Sequence, residues 1–229
     1  MTQIEKKEII TPGEIIANAD EFLPGDWTMK QDNNIIATRL GILEKADKLI
    51  KIIPISGVYI PRRGNTVIGE IKDIVNAGWQ IDIGGPYSSF LPLRECPGFI
   101  ESYEMESLYG IGDLIVTQIL NVGRTSVDLT MKTRERGVFG KIRDGMVFKV
   151  NPHRVPRIIG KEGSMISMIK QASNSEITVA QNGIIWIKSE KVEDQLFAKK
   201  AIEYIIENVT VSGLTEKVEA WLKENGGKK

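Results

Sequence analysis

The feature that most constrains the fold is the segment RIIGKEGSMISMI, which spans residues 157–169. Gly160 and Gly163 enclose a Lys-Glu pair and separate two runs whose apolar residues recur at helical spacing. Because glycine has no Cβ and adopts backbone conformations that other residues avoid, this pattern predicts a tight junction between two helices. Ser164 is a candidate N-cap for the second helix, since serine often accepts a hydrogen bond there. The apolar face of that helix would contain Met165, Ile166 and Ile169.

The elements around this junction follow a regular order. MVFKV at 146–150 is a strand candidate, and HRVPRII at 153–159 predicts a short helix with Pro156 in its first turn. SEITVA and GIIWIKS then predict two strands joined at Asn182-Gly183, a strong hairpin signal. Residues 190–208 carry apolar side chains on one helical face, and a last short helix is predicted over 214–224. The predicted order is strand, helix, helix, strand, strand, helix.

The earlier part of the chain predicts strands. Residues 8–55 contain β-branched runs split by turn residues, and the charged EKADK segment resembles the turn of a hairpin. Five further runs predict a small antiparallel barrel of the OB kind: TVIGEIKDIV, GWQIDIGG, SSFLPL, DLIVTQILNV and SVDLTMK. The pattern alone leaves open a barrel that binds no ligand. Trp79 alternates with Ile81 and Ile83, which favours the barrel core. The glycine- and charge-rich stretch 133–145 is interpreted as a linker.

Composition narrows the class of function. The chain has 30 basic and 30 acidic residues, so its net charge does not indicate a strongly basic nucleic-acid binder. A single cysteine, Cys96, excludes an internal disulfide and a cysteine-cluster zinc site, and one histidine gives no support to a Ser-His-Asp arrangement. No catalytic residue, metal ligand or cofactor is assigned. No apolar run of about 18 residues and no signal-peptide pattern is visible, so we expect a soluble, cytoplasmic protein with no membrane contact.

Charge is uneven along the chain. Between Lys141 and Lys170, seven Lys or Arg residues stand against two acidic residues. A phosphate-bearing partner would meet this segment, although chance clustering of surface charge explains the count equally well. The first amides of the second helix are a candidate anion site, and the glycines would let a sugar–phosphate chain lie against the backbone.

We therefore predict a site for single-stranded nucleic acid at the helix junction. Its candidate residues are Arg154, Arg157, Ile159, Gly160, Lys161, Glu162, Gly163 and Ser164. Glu162 would repel phosphate and cancels the charge of Lys161. This leaves open the alternative that the helix junction serves packing and has little affinity for RNA. Replacing Gly160 and Gly163 by aspartate is expected to weaken RNA binding with folding nearly intact.

Two segments resemble known RNA-binding domains. RIIGKEGSMISMI, with its surrounding element order, resembles a KH domain of type I, whose Gly-x-x-Gly loop clamps the backbone of about four nucleotides. GNTVIGEIKDIVNAGWQIDIG and GIGDLIVTQILNVGRTSVDLTMK resemble the ribosomal S1-type barrel. With TPGE and YIPRRGNTVIG before them, these features are similar to the archaeal exosome cap proteins of the S1/KH kind, over about residues 8–208. Asn65 stands where that family favours Asp, and either residue suits a turn.

The resemblance implies a multidomain chain, mainly β and then α/β. Its parts would be an N-terminal β domain in contact with a ring (1–60), an S1-type OB-fold barrel (61–133), a type I KH domain (146–210) and a C-terminal helix and tail (211–229). Residues assigned to barrel loops or faces near RNA are Arg62, Arg63, Lys72, Arg124 and Lys132, with ordinary solvated charge as the alternative.

The resemblance also implies a non-catalytic function. Three copies, with or without the zinc-ribbon cap protein, would form a trimeric cap on the hexameric exosome ring of RNase PH-like subunits. The cap would bind single-stranded RNA and feed it, 3′ end first, to the exoribonuclease sites of the ring. A free-standing RNA-binding factor of translation or transcription is the first alternative, and a nuclease or RNA-modifying enzyme is the second.

Overall fold

The computed structural model describes residues 9–98, 100–132, 139–208 and 213–225. The chain divides into two units, the first ending at Gly57 and the second beginning at Val58. Parts of the predicted segments lie outside the described residues: 1–8 of the first domain, 133–138 of the linker, and 209–212 and 226–229 near the C-terminus.

The first unit consists of short strands in two sheets, ordered β1-β6-β7-β3 and β2-β5-β4. Its strands are β1 (Ile9–Ile10), β2 (Ile15–Asn18), β3 (Leu23–Pro24), β4 (Thr28–Gln31), β5 (Asn34–Ala37), β6 (Gly41–Ala46) and β7 (Leu49–Pro54). Two-residue turns beginning at Asp32 and Asp47, both with positive φ, join β4 to β5 and β6 to β7. Aspartate tolerates this conformation better than most residues do. The hairpin predicted at EKADK is confirmed.

The second unit begins with the predicted barrel. Its elements are β8 (Thr66–Val75), β9 (Gly78–Asp82), β10 (Ser88–Pro92), α1 (Met105–Leu108), β11 (Leu114–Val122), β12 (Ser126–Thr130) and β13 (Gly140–Lys141). The sheet order is β12-β10-β9-β8-β11-β13, and a β12–β11 pairing closes the five main strands into a barrel. The β10–β12 pair is parallel, so the barrel is not wholly antiparallel as predicted. Trp79 is fully buried in the barrel core, where its indole Nε1 donates to the carbonyl of Tyr109 at 3.0 Å. Its predicted place in the core is confirmed.

The rest of the second unit has the predicted order of strands and helices. Its elements are β14 (Met146–Lys149), α2 (Val155–Ile159), α3 (Ser164–Ser173), β15 (Glu176–Val179), β16 (Ile184–Lys188), α4 (Val192–Glu207) and α5 (Leu214–Asn225). The strands form an antiparallel sheet in the order β14-β16-β15. Residues of α2, α3, α4 and α5 share one core with Ile177, Ile185 and Ile187 of this sheet. Trp221 of α5 stacks on Phe197 and Tyr204 of α4, so its ring packs α5 against α4.

Three local predictions differ from the structure. The proposed linker 133–145 is not wholly a connection, because β13 adds a strand to the barrel through Ile115↔Lys141 and Val116↔Gly140. Ser164 is the first helical residue of α3 and does not cap it, since the N-cap is Gly163. The HRVPRII segment is a 3₁₀ turn (Pro152–Arg154) followed by the five residues of α2.

Candidate nucleic-acid interface

The Gly-x-x-Gly loop is an exposed junction between two helices. Helix α2 ends at Ile159, a 3₁₀ turn covers Lys161–Gly163, and α3 starts at once. Lys161 and Glu162 are exposed at the tip, and Glu162 adopts a left-handed conformation (φ 53°, ψ 26°). The amide of Gly163 donates to the carbonyl of Gly160 at 3.3 Å, and the amide of Ser164 donates to the carbonyl of Lys161. The next amides in the first turn of α3 have no acceptor within the helix and carry its partial positive charge, so they can serve as donors to an anion.

The two glycines are required for different reasons. Gly160 has φ 75° and ψ 178°, a combination that only glycine adopts readily, and a Cβ there would lie 2.7 Å from the Cβ of Met165. Gly163 has φ 78° and ψ 12°, but a Cβ there would meet no atom closer than Ile166 Cγ2, at 4.0 Å. Gly160 therefore permits the close approach of α2 and α3. Gly163 leaves open space at the start of α3, where a ligand backbone can lie.

The predicted side chains of the junction lie along one continuous segment. Arg157, Lys161 and Ser164 are exposed, whereas Arg154 and Ile159 are half-buried. Within the described part of the chain, Arg154, Arg157 and Lys161 form no ion pair with an acidic side chain. Their charges are therefore available to a polyanion, and the nearest acidic residue in sequence is Glu162, directly after Lys161.

The predicted basic residues of the barrel are all exposed and belong to several separate segments of it. Arg62 and Arg63 precede β8, and Arg124 lies in the turn between β11 and β12. Lys72, on β8, forms a 2.8 Å ion pair with Glu70. The hydrogen bond from Lys72 to Glu70 raises the pKa of the Lys72 ammonium group, which is thus already engaged. Lys132 is one of the residues that line a concave surface of the barrel.

That surface is a groove of about 730 Å³ on the side of the barrel. It is lined by the β8–β9 turn, by β10 and the loop after it, and by single residues of β11 and β12: Asn76, Ala77, Phe90, Pro92, Leu93, Arg94, Gly98, Ile100, Leu120, Asp128 and Lys132. The groove includes the turn between the first two barrel strands and part of the third strand, which are among the elements that OB folds use to bind oligonucleotides. A groove that contains a half-buried aromatic ring, Phe90, and two cations, Arg94 and Lys132, suits stacked bases with nearby phosphates.

Two residues of this groove, Phe90 and Arg94, were missed by the sequence analysis. The sequence contains a signal for Phe90, because Phe90 and Leu91 are neighbours in a strand whose side chains alternate between two faces, so they cannot both point into the core. In the structure Leu91 is buried in the core and Phe90 lies on the other face, half-buried. Arg94 gave no such signal, since it lies in a 3₁₀ turn after β10 (Leu93–Glu95).

Reactive side chains are not concentrated at either surface. Burial raises the pKa of the Cys96 thiol to about 11, so it is a protonated thiol near neutral pH. Among residues 9–98, 100–132, 139–208 and 213–225 there is no group of three or more His, Cys, Asp or Glu side chains that could hold a metal ion. No helix in the described part of the chain is both long and apolar enough to cross a membrane.

The fold and the loop define a class of protein in which an OB-like barrel is followed by a KH domain. The KH domain family model matches residues 145–193. A second model, described as the exosome complex exonuclease RRP4 N-terminal region, matches residues 9–46. The predicted fold class is confirmed.

Full-length relatives identify the family. The chain is 38% identical over 219 residues to the exosome complex component Rrp4 of Methanobrevibacter smithii, covering 95% of this chain and 72% of that protein. It is 35% identical over 225 residues to Rrp4 of Nitrosopumilus maritimus, covering 97% and 98%. A crystal structure described as an exosome complex RNA-binding protein superposes with a TM-score of 0.64 at 29% identity, over 73% of this chain and 97% of that one. The chain belongs to the Rrp4 family of exosome complex components, as the sequence resemblance predicted.

Proposed function

We propose that this protein is the non-catalytic RNA-binding cap subunit of a cytoplasmic exosome. Three copies sit on a hexameric ring of RNase PH-like subunits, bind single-stranded RNA and pass it to exoribonuclease sites in the ring. The proposal keeps the division of the chain into 1–60, 61–133, 146–210 and 211–229. The observation that carries it is the exposed Gly-x-x-Gly loop at the start of α3, in a chain of the Rrp4 family.

RNA binding is assigned to two surfaces of the second unit. At the loop, phosphates contact the free amides in the first turn of α3 and the side chains of Arg154, Arg157 and Lys161. The loop side chains sum to zero charge because Glu162 offsets Lys161, so affinity rests on backbone amides and the flanking arginines. In the barrel groove, Phe90 stacks a base while Lys132 faces phosphate. Arg62, Arg63 and Arg124 add exposed charge outside the groove, and Lys72 adds little because it is paired with Glu70.

Contact with the ring is assigned to an apolar sheet face of the first unit. Ile9 is 62% exposed and Ile53 is 47% exposed. Each lies directly opposite Ile42 of β6, Ile9 on the strand to one side and Ile53 on the strand to the other. Leu23 and Leu49, exposed by 61% and 41%, form a second pair on the same sheet. Directly opposed residues share a face, so these side chains form one apolar surface, crossed by the Lys51–Glu44 ion pair at 3.4 Å. A continuous exposed surface of this kind is typical of a protein-binding site.

Ring binding can be separated from RNA binding by one substitution. Ile53→Glu places a charge in the apolar face and is expected to abolish co-elution with the assembled ring, measured by size-exclusion chromatography with light scattering. Met29→Glu is the matched control, because Met29 is 48% exposed but lies on β4, in the other sheet. Failure of the wild-type chain to bind the ring would contradict the proposal and favour a free-standing RNA-binding factor.

The non-catalytic character is tested with the chain alone. Purified protein is incubated with end-labelled oligoadenylate, with Mg²⁺ and with inorganic phosphate, and the RNA length is followed on a denaturing gel. We expect retention of full-length RNA in all conditions and shortening only when the ring is added. Shortening by this chain alone would overturn the assignment in favour of a nuclease.

A further inference from the structure

The KH sheet is covered on both faces. On one face Ile185 and Ile187 pack against the helices. On the other face Ile184 and Trp186 pack, with Ala180, against Ile68 and Val116 of the barrel. The barrel residues Ile68 and Val116 are opposed on β8 and β11 and point outward from its core, yet they are 0% and 1% exposed. The barrel and the KH domain therefore share a dry apolar interface.

The KH hairpin also fills a gap in the barrel wall. Strand β9 pairs with β8 only from Glu70 onward, the last pair being Glu70↔Asp82. The start of β8 therefore has backbone groups on that edge without a β9 partner. The loop between β15 and β16 hydrogen-bonds to this part of β8, since the amide of Gln181 donates to the carbonyl of Thr66 at 2.9 Å.

Asn182 makes the central contacts of this joint. Its side chain is buried, and its Nδ2 donates to the carbonyls of Ile68 (2.7 Å) and Ile83 (2.9 Å). Its Oδ1 accepts from the amide of Ile68 at 3.3 Å. One amide side chain thus satisfies three backbone groups on two segments of the barrel. Aspartate, of the same shape, lacks the two donors.

We propose that Asn182 is a positioning residue for RNA: it fixes the Gly-x-x-Gly loop relative to the barrel groove, so that one strand engages both surfaces. This inference rests on the proposed RNA-binding function. When two binding sites are linked, a ligand long enough to reach both binds more tightly, in proportion to the effective concentration of the second site. That effective concentration is highest when the distance between the sites is held at the length that the ligand spans. A short ligand that reaches only one site gains nothing from the joint.

The variant that tests the joint is Asn182→Asp, which places a carboxylate against two carbonyl oxygens without a change of volume. Asn174→Asp is the matched control: it makes the same charge change in the same domain, at the exposed C-terminal end of α3. Asn182→Ser is a milder second variant, for use if Asn182→Asp does not fold. Circular dichroism and thermal melting establish folding in each case.

The joint itself is measured by pulsed electron paramagnetic resonance. Spin labels are attached at Thr125→Cys in the barrel and Lys170→Cys on α3, both exposed positions, while the buried native Cys96 resists labelling. We expect one narrow distance distribution for the wild-type background and for Asn174→Asp, and a broad one for Asn182→Asp. A broad distribution in the wild-type background would overturn the rigid joint.

The role in RNA binding is measured with two oligoadenylates, one of about 4 nucleotides, which a KH domain accommodates, and one of about 20 nucleotides, which also reaches an OB-fold site. For Asn182→Asp we expect about a tenfold loss of affinity for the long RNA and no change for the short one. Equal loss for both lengths, or unchanged long-RNA affinity with a broadened distance distribution, would overturn the positioning role. Absence of RNA binding by the wild type, with a narrow distribution, would overturn the proposed function while leaving the rigid joint in place.

Discussion

Replacement of either loop glycine by aspartate tests the proposed RNA contact, and the structure predicts different outcomes for the two positions. Gly163 is in the left-handed region, where aspartate is among the tolerated residues, and the nearest atom to a new Cβ is Ile166 Cγ2 at 4.0 Å, which causes no clash. The cost in unfolding free energy for Gly163→Asp is therefore about 1 kcal/mol. At Gly160, backbone strain of about 1–3 kcal/mol adds to overpacking against Met165 of about 1–3 kcal/mol.

The effect on RNA follows from charge. Gly163→Asp changes the charge of the loop from zero to −1 at the place where a phosphate would lie. A carboxylate about 5 Å from a phosphate costs about 1–3 kcal/mol at an effective dielectric constant between about 20 and 80, which is roughly a 5- to 150-fold loss of affinity. Gly163→Asn has the same shape and backbone preference without the charge, and is expected to lose much less affinity.

The assay combines fluorescence anisotropy with labelled oligoadenylate and urea unfolding of each variant. The expected result for Gly163→Asp is weak RNA binding with an unfolding midpoint close to that of the wild type. Gly160→Asp is expected to lose binding and also several kcal/mol of stability, of the order of the margin of a typical domain. The structure therefore predicts nearly intact folding for Gly163→Asp but not for Gly160→Asp, whereas the sequence alone led to one expectation for both glycines. Wild-type affinity in Gly163→Asp would refute the placement of RNA at the start of α3.

Three further predictions concern the barrel. Phe90→Ala is expected to cost about 1–3 kcal/mol of RNA binding through lost stacking, whereas Leu120→Ala, in the same groove, is expected to cost less; equal losses would argue against stacking. Lys132→Ala should lower affinity and reduce the slope of log affinity against log salt by about 1, whereas Lys72→Ala should change neither, because Glu70 already engages its ammonium group. Burial raises the pKa of the Cys96 thiol from 9.0 to about 11, so the folded state keeps the thiol proton to a higher pH than the unfolded state does. The contribution of Cys96 to the free energy of unfolding is therefore complete below pH 9 and is lost as the pH rises toward 11. Cys96→Ala should remove that part of the pH dependence in urea unfolding curves, and an unchanged curve would contradict it.

The sequence by itself determined the local architecture. Periodicity fixed Trp79 in the barrel core and the stripe Leu214, Val218 and Leu222 on α5, because burial selects apolar residues at the repeat of the element. The glycine pair predicted the helix junction, since few other residues adopt its backbone angles. These features depend on interactions between near neighbours in the chain.

Only the tertiary structure decided how these parts meet. The run IIWI in β16 is apolar at every position, which is typical of a strand covered on both faces, but the pattern does not name what covers it. Asn182 was assigned to a turn, and its bonds to Ile68 and Ile83 join residues about a hundred positions apart. The groove likewise gathers residues from separate strands and loops. Such contacts depend on which surfaces the folded chain brings together, and no periodicity within a short window encodes that.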